Sequence, residues 1–273
     1  PVAVDASFRV AERRPELWNP IDGSIRDLPE YRTTGRQTVV PLRVEPFGSY
    51  FVIFRKATDD SSRSISLESG ATAGLSSSAV KQPSKNTAGQ AGSGAQPTNF
   101  QDYEPVLSID GSWQVSFDPR WGGPENATFD ELVDWTARPE EGIKHYSGTA
   151  VYHKTFVPPP ELAERKNLCL DLGAVRELAR VRLNGRDLGV VWCPPWRVDI
   201  SAAVRPGENL LEIEVVNFWP NRLIGDAKLP PEKRLTKTNI RAFQADAPLM
   251  PSGLLGPVRI VEAKRRSASG QTH

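Results

Sequence analysis

The dominant periodicity in this chain is a two-residue alternation of apolar and polar side chains, repeated in short runs between turn-forming residues. Trp113, Val115 and Phe117 alternate with Gln114 and Ser116, Ala179, Val181 and Leu183 with Arg180 and Arg182, and Leu211, Ile213 and Val215 with Glu212 and Glu214. A period of two is that of a strand with one face buried and the other in water. Runs at 146–156, 168–172 and 258–261 read as further strands. Asn184-Gly185 separates 179–183 from a return run carrying Leu188, Val190 and Trp192. Both turn residues tolerate positive φ, so a two-residue hairpin is expected there. Arg205-Pro-Gly-Glu208 marks another turn. Helical spacing is confined to 129–136, where Phe129, Leu132, Val133 and Trp135 would form one or two turns. The pattern predicts an all-β chain whose main body, residues 102–264, is a jelly-roll β-sandwich.

The rest of the chain divides by composition. Residues 1–56 offer turn chemistry at Trp18-Asn-Pro-Ile-Asp-Gly23 and strands at 38–44 and 50–54. Two or three strands cannot bury both faces, so this partial β segment is expected to complete a sheet of an upstream domain. Between 58 and 99 there is no aromatic residue, and Ser, Ala, Gly, Thr and Gln dominate. Residues 57–101 are therefore expected to be a disordered, flexible low-complexity linker, too poor in apolar surface to offset the entropy of ordering. Residues 265–273 form a basic tail.

Charge and cysteine content remove several function classes. Lys and Arg total 34 against 33 for Asp and Glu, so no net field recruits nucleic acid or an anionic membrane. No apolar stretch approaches the roughly 20 residues of a membrane span. The first residues have neither a basic nor an apolar leader region, and no signal peptide is expected in this chain. The single Met is Met250, so the chain reads as processed or cut from a longer polypeptide. Cys169 and Cys193 are too few for a disulfide scaffold. A bridge between them and two free thiols are equally consistent with the sequence.

No catalytic constellation emerges. A glycosidase needs two carboxylates about 5–10 Å apart. Here Asp130, Glu131 and Asp134 fall on a surface turn, Glu140 and Glu141 are adjacent, and Glu212 and Glu214 lie on the wet face of a strand. No Ser has Gly at both −2 and +2, which excludes a nucleophile elbow. His145 and His153 are roughly 26 Å apart at strand rise and cannot share a metal. No phosphate loop, dinucleotide fingerprint, cofactor site or metal site is identifiable.

The candidate binding chemistry is concentrated in Asn217-Phe-Trp-Pro-Asn-Arg-Leu-Ile-Gly-Asp226, read as a loop that leaves the strand ending near Val215. Trp219 offers a flat face for a pyranose ring, and Asn221, Arg222 and Asp226 offer donors and acceptors for hydroxyl groups. Trp192 and Trp196, in Trp192-Cys-Pro-Pro-Trp196, form a second candidate stacking surface on a stiff turn. The competing reading is that these rings plug the sandwich or face another domain, and that Arg222 pairs with Asp226.

The order Ser147-Gly-Thr-Ala-Val-Tyr152, Leu170-Asp-Leu-Gly173, Ala179-Arg-Val-Arg-Leu-Asn-Gly185 and Leu211-Glu-Ile-Glu-Val-Val-Asn217 resembles the galactose-binding-like jelly roll appended to many glycoside hydrolases. Asp118-Pro-Arg-Trp-Gly-Gly-Pro124, Asn221-Arg-Leu-Ile-Gly-Asp226 and Pro251-Ser-Gly-Leu-Leu-Gly-Pro257 resemble the C-terminal region of glycoside hydrolase family 106, the α-L-rhamnosidases. The resemblance implies a fragment of a hydrolase, usually secreted or periplasmic. Its upstream catalytic domain, the partner of this sandwich, would carry the catalytic glutamates and a metal, and its substrate would be a rhamnose-containing glycan. No residue here matches that catalytic part. The function expected is that of an accessory β-sandwich. The alternatives are an independent carbohydrate-binding module and a structural or adhesion module of the cell surface.

Overall fold

The computed structural model describes residues 1–57, 98–239 and 243–264. Two compact units are present among the described residues: unit 1 contains 1–44, 49–57 and 98–101, and unit 2 contains 45–48, 102–239 and 243–264.

Unit 1 has six strands where the sequence suggested two: β1 (Val2–Phe8), β2 (Arg13–Trp18), β3 (Ile25–Asp27), β4 (Arg32–Thr34), β5 (Gln37–Val44) and β6 (Phe51–Ala57). They form two antiparallel sheets, ordered β1-β5-β4 and β3-β2-β6. The core is small. Leu17, Leu28 and Val40 are buried and are packed by Phe8, Phe54 and other partly covered rings. Beside it lies Glu16, wholly buried, with Arg55 Nε and Lys56 Nζ each 2.6 Å from its carboxylate. Lys56 first, then Arg55, hold this carboxyl down at about 2.

The expected linker boundary at residue 101 requires correction. Asn99 is buried in unit 1, where its Nδ2 donates to the carbonyls of Glu30 (2.6 Å) and Pro41 (3.0 Å). Its backbone N–H donates to Glu30 Oε2, and its Oδ1 accepts from Glu30 N–H. Phe100 packs on Tyr50 with ring centroids 6.1 Å apart. Polar side chains that satisfy backbone groups in this way anchor a segment that lacks its own strand. The remainder of the expected linker, 58–97, and the tail, 265–273, lie outside the described residues.

Unit 2 is the sandwich. Its strands are β7 (Tyr103–Ser108), β8 (Trp113–Phe117), β9 (Asn126–Phe129), β10 (Thr149–Phe156), β11 (Leu168–Asp171), β12 (Ala174–Arg176), β13 (Leu178–Leu183), β14 (Arg186–Val191), β15 (Arg197–Asp199), β16 (Asn209–Val216), β17 (Gly253–Gly256) and β18 (Arg259–Ala263). A six-stranded sheet, β14-β13-β16-β10-β8-β9, faces a four-stranded one, β15-β11-β18-β7, with β12 and β17 forming a short third pair. Every paired strand is antiparallel. The alternation read from the sequence is the inward face: Trp113, Val115, Ala179, Val181, Leu183, Leu211, Ile213 and Val215 are buried. Burying such a side chain contributes about 1.5–3 kcal/mol. The outward residues pair with one another, Arg180 with Asp187 and Arg182 with Glu214. Asn184 (φ 54°) and Gly185 (φ 77°) form the β13–β14 hairpin turn.

Two local expectations differ from the fold. Residues 129–136 are not helical: Phe129 ends β9 opposite Trp113, and only Trp135–Ala137 makes a 3-10 turn, capped by the Asp134 carboxylate on Thr136 N–H at 2.9 Å. The apolar spacing there serves the core directly, since Trp135 and Phe129 are both fully buried. The second difference is the stretch read as a loop, where Pro220–Ala227 is a helix, described below. Two single-turn helices precede it, α1 (Glu141–Lys144) and α2 (Pro160–Ala163).

Cys169 and Cys193 are both free thiols. Cys169 lies on the face of β11 opposite the buried Leu168 and Leu170, and burial pushes its thiol up. Among the described residues no helix is long and apolar enough to cross a membrane.

Candidate functional site

The strand β16 delivers the chain to one end of the sandwich, and Asn217 fixes its exit. Asn217 Nδ2 donates to the Tyr146 carbonyl and to Ser252 Oγ, both at 2.9 Å, while its Oδ1 accepts from Gly148 N–H. Pro220 then opens helix α3 (Pro220–Ala227), its fixed φ suiting the first helical position. Eight residues form a marginal helix alone. Tertiary contacts hold it. Asn221 Nδ2 donates to the Met250 carbonyl (2.7 Å) and Ser252 Oγ (3.1 Å), and Asn221 Oδ1 accepts from Met250 N–H (2.8 Å).

Arg222 and Asp226 lie one helical turn apart, with side chains 7% and 4% exposed, and Arg222 Nε is 3.1 Å from Asp226 Oδ1. Asp226 Oδ2 accepts from both the N–H and the hydroxyl of Thr236, at 2.7 and 2.5 Å. The Asp226 carboxylate is thus committed to the protein. The guanidinium is only partly so. Its Nε faces Asp226 Oδ1 without hydrogen-bond alignment, and neither of these two buried atoms has a hydrogen-bond partner among the described residues.

The guanidinium fits because two glycines admit it. Gly122, in the left-handed region at φ 82°, brings its Cα so near that a Cβ would lie 3.2 Å from Arg222 Nη1; at Gly225 a Cβ would lie 2.5 Å from Nη2. Glycine is the residue that permits such approach. His145, also buried, completes the surroundings. Its Nε2 is 3.2 Å from Lys228 Nζ, and its Nδ1 is 3.3 Å from the Glu141 carbonyl and 3.2 Å from the Glu141 carboxylate. A neutral ring protonated on Nδ1 satisfies both sides, and burial first of all pushes the imidazole pKa down.

The aromatic residues separate into two kinds. Trp219 is 52% exposed and Phe218 54% exposed. Trp121 braces Trp219 edge-to-face, with centroids 5.3 Å apart at 82°. Trp192 is 55% exposed, just past β14, whereas Trp196 is 7% exposed and belongs to the core. The two rings of 192–196 therefore point to different environments and do not form one platform.

Of the six candidate residues, Trp219, Asn221, Arg222 and Asp226 come together around α3. Asn221 spends its amide on Met250 and Ser252, and Asp226 spends Oδ2 on Thr236 while its Oδ1 faces the buried Arg222, which leaves Trp219 as the half-exposed member of the four. Trp121, His145 and Lys228 join this end without having been singled out for binding. Only Trp121 had a signal, its place in Asp118-Pro-Arg-Trp-Gly-Gly-Pro124. Among the described residues no group of three or more His, Cys, Asp or Glu is placed to hold a metal ion.

Residues 138–247 match the glycosyl hydrolase 2 galactose-binding domain-like family. Over 181 residues, 58% of this chain, the sequence is 40% identical to a putative beta-glucuronidase of Formosa agariphila, of which the match covers 16%. A rhamnosidase structure from Novosphingobium sp. PP1Y superposes on 95% of this chain with a TM-score of 0.72 and 36% identity, covering 21% of that protein. The chain thus spans about a fifth or less of the length of these relatives. The match at 138–247 and the two facing antiparallel sheets make the sandwich a galactose-binding-like domain, similar to that of glycosyl hydrolases.

Proposed function

We propose that this chain is the C-terminal accessory region of a rhamnosidase-like glycoside hydrolase, whose sandwich supports a catalytic domain elsewhere in the same polypeptide. The observation that carries this reading is the near-complete structural match to one fifth of a rhamnosidase. The carboxylates agree with it. Among the described residues the buried ones are Glu16 and Asp226, and each is taken up by neighbouring side chains. A hydrolytic pair needs two carboxyls with different environments on either side of a sugar bond. The catalytic glutamates and metal that the family 106 resemblance implies belong, on this reading, to the catalytic domain, and the enzyme is exported to reach a rhamnose-containing glycan.

Two measurements test the proposal. The purified chain should release no p-nitrophenol from the aryl α-L-rhamnoside above a buffer control, and adding it to the separately produced remainder of the enzyme should restore activity or solubility. Turnover by the chain alone, or a remainder fully active and stable without it, would overturn the assignment. The half-exposed Trp219 favours a second reading, an independent carbohydrate-binding module, in which glycan binding would occur with no effect on the remainder.

A further inference from the structure

We infer that His145 is a proton-operated latch on helix α3: the neutral ring accepts from Lys228 and seats Gly225, and a proton taken from solvent onto Nε2 expels the Lys228 ammonium and loosens the C-terminal turn of the helix. This goes beyond the accessory reading and does not depend on it.

Three features of the geometry lead to the latch. First, His145 is 2% exposed, and α3 rests directly on it: a Cβ at Gly225 would lie 2.7 Å from His145 Cβ and 2.9 Å from its Cγ. Second, both ring nitrogens are in use. Nδ1 lies 3.3 Å from the Glu141 carbonyl at the start of α1, and Nε2 lies 3.2 Å from Nζ of Lys228, the residue after the last turn of α3. A neutral imidazole donates from one nitrogen and accepts at the other, so the ring joins the two helices in that state alone. A second proton sets an N–H against an ammonium that has only donors, and the Lys228 contact is lost. Third, a charged ring so deeply covered must regain water, and the Gly225 turn is the cover that has to move.

The charges facing the ring come from both helices: Glu141 and Lys144 on α1, Arg222 and Asp226 on α3, and Lys228 at its end. The Glu141 carboxylate, 3.2 Å from Nδ1, favours an imidazolium, but it is 70% exposed and has Lys144 3.8 Å away, so water and a second cation weaken its pull. Asp226 is taken up by Arg222 and Thr236. Lys228 and Arg222 oppose a further positive charge. The folded ring accordingly holds its proton less well than at the ordinary 6.5; burial is the largest cause, the Glu141 carbonyl works against it, and Lys228 adds to it. An unfolded chain takes up the proton near 6.5 and the folded one only at lower pH, so the contribution of the neutral ring is complete above 6.5 and is lost as pH falls below it.

The test follows the whole chain from about pH 8 to about pH 4.5, a span that brackets histidine titration. Ring-proton NMR signals of His145, His153 and His273 give each midpoint, and amide hydrogen exchange, corrected for its intrinsic pH dependence, reports on α3. His145 should titrate below 6.5. Over the same interval the amides of Lys228 and Leu229, bonded to the carbonyls of Gly225 and Asp226, should exchange about three- to tenfold faster while β13 and β16 stay protected. His145→Gln offers Lys228 an acceptor that does not titrate and should abolish the acceleration. Lys228→Met changes an exposed residue and should move the ring's midpoint, and the acceleration with it, to higher pH. If His145→Gln fails to fold, Lys228→Met decides alone. A His145 midpoint at or above 6.5, exchange in α3 that ignores the titration, an acceleration that survives His145→Gln, or a midpoint unmoved by Lys228→Met would overturn the inference.

Discussion

In the centre of the sandwich the indole N–H of Trp135 donates to the hydroxyl of Tyr152 at 2.6 Å, and the same hydroxyl accepts the backbone N–H of Leu254 at 3.2 Å. Trp135 belongs to the turn after β9, Tyr152 to β10 and Leu254 to β17. One buried oxygen therefore ties three separate parts of the core.

Tyr152→Phe would leave both donors without an acceptor in the interior. The cost expected is about 1–3 kcal/mol of unfolding free energy, measured as a shift of the urea midpoint at constant slope. The phenol is pushed up to about 12, chiefly by burial, from an ordinary 10.0. A raised folded value means that the protonated tyrosine contributes its full stability below pH 10 and loses it as pH rises through about 12. Alkaline unfolding should therefore coincide with Tyr152 ionisation followed by ultraviolet absorbance, and ionisation while the fold persists would contradict this.

Unit 1 should be sensitive at the other end of the scale. Glu16 is lowered to about 2 from 4.5, so its contribution is complete above pH 4.5 and disappears as pH falls through about 2. Glu16→Gln should flatten the acid limb of the stability profile over that interval. An unchanged acid limb would mean that the contacts of Lys56 and Arg55 with Glu16 contribute nothing in solution.

Ser252 Oγ accepts from the amides of both Asn217 and Asn221 and donates to the Met250 carbonyl. Ser252→Ala should cost about 1–3 kcal/mol, because two buried amides lose a partner at once. Hydrogen exchange should accelerate first in α3. Uniform acceleration across the sandwich would show that α3 is not held through Ser252.

Sequence reasoning alone suggests that Arg222→Ala lowers activity of the parent enzyme more than stability, with Ile213→Ala doing the reverse. The geometry modifies the first half. Ile213→Ala should cost about 2–5 kcal/mol, as for any fully buried aliphatic truncation. Arg222→Ala should cost about 3 kcal/mol, the low end for breaking a buried ion pair, because Asp226 keeps both Thr236 donors. In a double-mutant cycle, adding Asp226→Asn should cost less in the Arg222→Ala background than alone. Strict additivity would show that the 3.1 Å contact carries no energy.

Much of unit 2 was legible because β8, β13 and β16 each bury alternate side chains, and that demand is written residue by residue. The strands that escaped are those whose pairing is set by a neighbour. β12, β15 and β17 are three or four residues long, too short for a period to show. β1 escaped for another reason: Val2 and Val4 are 69% and 47% exposed, so its alternation carries no burial signal. At the site, Trp219 and the pairing of Arg222 with Asp226 could be read as alternatives. Helix α3 could not, since Pro220, Asn221 and Gly225 are individually poor helix formers, and the bonds that fold them come from Met250 and Ser252, about 30 positions away.

The Asn99 clamp has a consequence for how the protein is made. β1 to β6 are complete by Ala57, yet a buried amide and an aromatic ring of unit 1 arrive only with residues 99 and 100. During synthesis the two sheets must wait for more than 40 further residues before their last anchor leaves the ribosome, a delay of about 2–8 seconds at ordinary elongation rates. Unit 1 therefore reaches its final state only as β7 is about to emerge, while unit 2 still waits for β18, about 160 residues further on.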